Sequence, residues 1–159
     1  MDAIDLHVHS TFSDGTLTPS ELISRAKQFH LAAMALTDHD TIEGIPEAVQ
    51  AASEQNLELV PGVELSTFWD EKEIHIVGLF IDYTDKTFQK ELESLRDVRR
   101  NRNIAMCEKF TQLGIPIDYS DMEKEYADAV ITRAHFVISV QTVRAMCRVK
   151  KCPAPKLSA

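Results

Sequence analysis

Between Ala3 and Thr37 the chain sets two short apolar runs on either side of a strongly signalled helix, and this order constrains the fold most. Ile4, Leu6 and Val8 alternate with Asp5, His7 and His9, the period-two pattern of a half-buried strand over Ala3–His9. The polar loop Ser10–Thr18 follows, with the turn-prone Ser13-Asp14-Gly15 inside it. Thr18-Pro19-Ser20-Glu21 then opens a helix, with Thr18 as N-cap, Pro19 at the first helical position and Glu21 completing a capping box. Leu22, Ile23, Ala26 and Phe29 supply its apolar stripe, and Ala32–Thr37 returns as a second strand ending at Asp38-His39-Asp40.

The pattern continues with a helix over Ile45–Gln55 and a strand over Leu57–Val60. That strand leads through Pro61-Gly62 into Val63–Thr67, and a further strand covers Glu73–Phe80. The order β-α-β-α-β-β predicts an α/β fold with a parallel sheet or partial barrel. Phe88–Leu113 reads as one long helix stopped by Gly114 at the C′ position, and Ser120–Tyr126 as a short one.

At 159 residues and 44% apolar content the chain suits one compact domain. It is too short for a complete eight-stranded α/β barrel, which takes about 250 residues. A net charge of -8 excludes a nucleic-acid binder that relies on a broad basic face, but not a small anionic substrate bound beside a metal. All 25 acidic residues precede residue 129, whereas six of the 17 Lys and Arg follow it. The start MDAIDLH lacks the basic and apolar regions of a secretory signal, and no apolar run is long enough to span a membrane. Three cysteines, with Cys147 and Cys152 poorly spaced for zinc, suit a reduced, cytoplasmic protein.

The chemistry concentrates in the histidines. His7 and His9 are two apart on a strand, so both imidazoles leave one face and can grip one ion. Asp14 follows in the turn, His39 after the second strand, Glu64 after the third, and His75 lies on the fourth. Ligands of α/β sheets gather at the carboxyl ends of strands, which would bring all six to one rim. Mixed imidazole and carboxylate donors suit Mn2+, Fe2+ or Zn2+ better than Ca2+, and without cysteine ligands the pattern reads as a catalytic metal cluster. Asp38 and Asp40 flank His39 and are placed to orient it. The run Arg99, Arg100 and Arg102 reads as a solvated helix face, and His30 at a helix end has no assigned role.

The segments DLHVHSTFSDGTLTPSEL (5–22), ALTDHDT (35–41), PGVELST (61–67), EIHIVGL (73–79) and TRAHF (132–136) resemble the PHP (polymerase and histidinol phosphatase) family. Within it they are most similar to the stand-alone, RNase AM-like phosphoesterases acting on nucleoside 3′,5′-bisphosphates and RNA 5′ ends. The resemblance implies a distorted seven-stranded β/α barrel, of which this chain would be the N-terminal part. It implies up to three divalent ions, Mn2+ foremost, with Fe2+, Zn2+ or Mg2+ as alternatives. His7, His9 and Glu64 would hold one, Glu64 would bridge to a second with His75, and Asp14 with His39 would hold a third. Arg133 and His135 resemble groups that hold the substrate phosphate.

The implied activity is hydrolysis of a phosphate ester in a small nucleotide or RNA 5′ end by metal-activated water. The alternatives are a histidinol-phosphate-type phosphatase, or an inactive fragment keeping a metal half-site. The family's later ligands, a His in an Ala-His-Pro turn and an Asp and a His in a Gly-Ser-Asp-x-His motif, have no counterpart, since His135 is the last histidine. Residues 1–136 are therefore expected to form the PHP part, and 137–159 a basic tail foreign to it. Val137–Val143 in that tail alternates more like a strand than a helix, and Pro153 and Pro155 break any regular element. An incomplete barrel would leave strand edges unpaired, so self-association is expected.

Overall fold

The structure, a computed structural model, describes residues 3–70 and 72–150. The chain divides into two compact units, Met1–Arg96 with Asp128–Val130, and Asp97–Ala127 with Ile131–Ala159.

The first unit holds a four-stranded sheet in the order β1-β2-β3-β4: β1 (Ala3–Val8), β2 (Leu31–Leu36), β3 (Glu58–Trp69) and β4 (Lys72–Leu79). The first three strands run parallel, joined by α1 (Pro19–Gln28) and α2 (Ile45–Gln55), and β4 returns antiparallel to β3. The expected α/β class and element order therefore hold, while the last pairing is a hairpin. Thr18 and Glu21 make the reciprocal capping box at the head of α1. Ile23, Ala26, Met34, Ala51, Ala52 and Leu57 form one core between those helices and the sheet. A second core joins Leu36, Ile42, Ile45, Ala48 and Val63 to Leu92 of α3 (Lys86–Gln112).

The strand expected to lead through Pro61-Gly62 into Val63–Thr67 is found as one continuous β3. Its first half pairs with β2, down to Leu36 against Pro61; its second half pairs with β4 from Gly62 onward. Glu64 N–H faces the β2 side, so by alternation the Pro61 nitrogen faces the β4 side, just beyond the Gly62–Leu79 pair that ends that ladder, and it interrupts neither.

In the second unit, the later part of α3 ends as expected. Gly114 adopts φ 78, and Gly114 N–H and Ile115 N–H donate to Thr111 O and Phe110 O at 3.0 and 2.9 Å, a Schellman closure. Asp118 caps α4 (Tyr119–Glu125). The strand-like reading of Val137–Val143 is wrong: those residues lie within α5 (Arg133–Lys150). Thr132 Oγ1 accepts Ala134 N–H at 3.2 Å, a helix-opening contact. Phe136, Val140 and Val143, at helical spacing, then pack with Cys107, Ile115, Ile117, Met122 and Ile131. That packing outweighs the modest helix penalty of β-branched residues. The solvated-face reading also fails for Arg99, which is buried, while Arg100 pairs with Glu123 at 2.9 Å. Cys152, Pro153, Pro155 and the end of the basic tail lie outside the described residues.

Candidate metal centre

Turn and strand geometry place each donor. His7 and His9 leave the end of β1 two residues apart. Gly15 N–H and Ser13 N–H both donate to Ser10 O, at 2.9 and 3.1 Å, which curls the loop and presents Asp14. A side chain at Gly15 would put its Cβ 2.1 Å from His9 O, so the curl requires glycine. Beyond β2, Glu64 N–H donates to Asp38 O at 3.1 Å and Asp40 N–H to Glu64 O at 3.0 Å. These bonds extend the parallel ladder and set His39 beside Glu64. Asp40 meets this geometry at φ 52, a region Asp tolerates better than most residues, and its Oδ1 takes Ser66 N–H at 2.8 Å.

All six sequence-selected donors converge on the buried Glu64 carboxylate or its neighbour Asp14. Glu64 Oε2 lies 2.7 Å from His7 Nε2, 2.9 Å from His9 Nε2 and 3.7 Å from His39 Nδ1. Glu64 Oε1 lies 2.6 Å from His75 Nδ1. Asp14 reaches His9 Nδ1 at 3.3 Å and His39 Nε2 at 3.5 Å. Ring centroids stand 5.1 Å apart for His7–His9, 4.6 Å for His9–His39 and 5.0 Å for His39–His75.

The electrostatics favour a neutral His9 imidazole beside an ionised Glu64 carboxylate. Burial, followed by the neighbouring His39, pulls the His9 pKa below 6.5 against the opposing pull of Asp14, Glu64 and Asp38. Burial alone would raise the Glu64 pKa, but the His7 hydrogen bond, His39 and the His75 hydrogen bond together hold it below 4.5.

This donor set fits divalent cations. The donors form three overlapping groups: His7, His9 and Glu64; His9, Asp14 and His39; and His39, Glu64 and His75. His39 Nδ1 is buried without a hydrogen-bond partner, which a cation would supply. Two carboxylates for four crowded imidazoles leave nitrogen lone pairs that coordination would use.

Asp38 does not orient His39 as expected. Its carboxylate accepts Ser10 N–H at 2.7 Å, Ser10 Oγ–H at 2.6 Å and Ser13 Oγ–H at 2.6 Å, bracing the loop after β1. Ser10 and Ser13 escaped the sequence reading; their signal was a Ser-x-x-Ser spacing directly behind the His-x-His pair. Glu73 was missed as well, and its Oε1 lies 3.4 Å from His75 Nε2. Arg133 and His135 belong to the second unit, at the start of α5. His135 Nδ1 accepts Thr132 N–H at 2.9 Å, and its ring lies 4.3 Å from that of Tyr126. His30 follows α1 at φ 56.

The PHP domain matches residues 5–142. The chain belongs to the PHP domain family. A PHP relative named 5′-3′ exoribonuclease, from Haemophilus influenzae, is 47% identical over 132 residues, covering 83% of this chain and 48% of its own length. A 3′,5′-nucleoside bisphosphate phosphatase from Chromobacterium violaceum is 40% identical over 138 residues, 86% of this chain and 48% of its own. A crystal structure from Bifidobacterium adolescentis, provisionally described as a metal-dependent phosphoesterase, superposes with TM-score 0.81 at 26% identity. It covers 97% of this chain and 60% of that one. The chain thus spans about half the length of the curated relatives it matches. No described helix is long and apolar enough to cross a membrane.

Proposed function

We propose that this chain carries the metal-binding part of a phosphoesterase that hydrolyses nucleoside 3′,5′-bisphosphates or RNA 5′ ends. The observation that carries the reading is the Glu64 carboxylate, whose two oxygens face different imidazoles, Oε2 toward His7 and His9 and Oε1 toward His75. Such a carboxylate would serve two cation sites at once. His7, His9 and Glu64 would hold one ion, His75 with Glu64 a second, and Asp14 with His39 a third. Mn2+ suits this mixture of nitrogen and oxygen donors. Bound divalent ions supply Lewis-acid polarisation of a phosphoryl oxygen and a lowered pKa for water.

The chain's own residues supply placement and charge. The depressed Glu64 and His9 pKa values keep both in their metal-ligating forms at neutral pH. Arg133 supplies a permanent cation for a substrate phosphate oxygen. Because His135 Nδ1 accepts Thr132 N–H, its proton resides on Nε2, the form that donates to an anion. The names of the exoribonuclease and bisphosphate phosphatase relatives support the nucleotide assignment. We take a reducing, cytoplasmic setting as the one the chain's buried Cys107 thiol suits.

The test is a metal count on the purified chain beside phosphate release from adenosine 3′,5′-bisphosphate. Bound metal with measurable release supports the reading. Bound metal without release identifies a metal half-site that needs further chain, and absence of bound metal overturns the assignment.

A further inference from the structure

Along β3, Glu64, Ser66 and Phe68 project from one face of the sheet because alternate residues share a face. The register with β4 sets Val77, His75 and Glu73 opposite them in turn. Phe68 therefore lies on the cluster's face, about 7 Å along the strand from the Ser66–His75 pair. Its ring is 60% exposed, on the same strand face as the buried Glu64. Trp69, the chain's single tryptophan, is 75% exposed but belongs to the opposite face with Val63, Leu65 and Thr67.

We propose that Phe68 is a base-stacking platform: when a nucleotide's phosphate sits at the His–Glu cluster, its nucleobase lies on the Phe68 ring. This inference rests on reading the cluster as a phosphate site. The spacing leaves room for a ribose between phosphate and base. Glu73, paired across from Phe68, carries the wrong charge for a second phosphate, so this end of the face favours an uncharged ring over an anion. Stacking tolerates any base, so the platform selects nucleotides as a class over sugar phosphates.

The test titrates the Mn2+-loaded, 159-residue chain with adenosine 3′,5′-bisphosphate and with ribose 5-phosphate, by calorimetry and by Trp69 emission. Phe68→Ala should weaken the bisphosphate about 5–150-fold, the equivalent of about 1–3 kcal/mol of stacking, and leave ribose 5-phosphate unchanged. Phe68→Tyr, which keeps the ring, should restore the bisphosphate affinity. The proposal is overturned if Phe68→Ala leaves bisphosphate affinity unchanged, or weakens both ligands equally. Failure of the bisphosphate to bind the wild-type chain would instead overturn the phosphate-site reading and this inference with it. Circular dichroism of both variants should match the wild type, since the ring is exposed.

Discussion

The Ser13 hydroxyl donates to Asp38 Oδ1 at 2.6 Å. With its proton committed there, Ser13 Oγ can act only as acceptor toward His9 Nδ1, 3.3 Å away. That places the His9 proton on Nδ1 and leaves Nε2, the nitrogen beside Glu64, with its lone pair free. Asp38→Ala would strand the Ser10 N–H and two hydroxyls in a buried loop. Each stranded buried group costs about 1–3 kcal/mol, so urea unfolding should register a loss of at least that size. An unchanged midpoint would show that the loop is braced by other contacts.

His7→Ala removes one of the two imidazoles within 3 Å of Glu64 Oε2. Loss of outer-shell partners alone costs metal sites about 10–100-fold in affinity, and loss of a direct ligand should cost more. Elemental analysis after dialysis against Mn2+ should show a fall in stoichiometry. Full occupancy would remove His7 from the ligand set.

Asp118 offers a pH signature away from the cluster. Hydrogen bonds from the Ser120 hydroxyl and backbone hold its carboxyl below the usual 3.8. As the pH falls, the unfolded chain therefore takes up the proton first. The cap's stabilisation is complete above the unfolded value and disappears as the pH drops through the folded one. Wild type should melt above Asp118→Ala by a constant margin from neutral pH down to about pH 5, and the two curves should meet in stronger acid. A margin that persists in strong acid would mean the carboxylate is not its source.

Phe136 anchors α5 in its core, 3% exposed and stacked on Phe110 at 6.0 Å between centroids. Phe136→Ala should cost about 3–5 kcal/mol, with a loss of helical signal on thermal unfolding. A loss below 1 kcal/mol by chemical denaturation would show that α5 does not depend on that contact.

Trp69, Ile74 and Ile76 share one face of the β3–β4 hairpin, all exposed. An apolar face beside an edge strand invites pairing between copies. Light scattering should report oligomers that grow with concentration. A monomer with one sharp melting transition would contradict this.

Local chemistry made much of this chain legible. Thr18-Pro19-Ser20-Glu21 and Gly114 mark helix ends through contacts only a few residues long, and both ends appear where expected. The six donors were readable because each follows or occupies a strand, and a sheet gathers its strand ends. What stayed hidden depended on distant partners. Val137–Val143 is helical because Phe110 and Met122 offer it a core, information absent from its own alternation. Asp38 stands beside His39 in sequence, yet its hydrogen bonds go to serines 25 and 28 residues away.

Glu64 is fastened to the 38–40 loop on one flank, and its strand is paired with β4 on the other. A ligand anchored on both sides has little freedom to retreat from an oversized guest. Ca2+ takes six to eight oxygens at about 2.3–2.6 Å, whereas Zn2+ sits closer with four ligands. The stiffness of one strand position would therefore act as a ruler: the same backbone bonds that assemble the donors would also limit the radius of a cation bound among them.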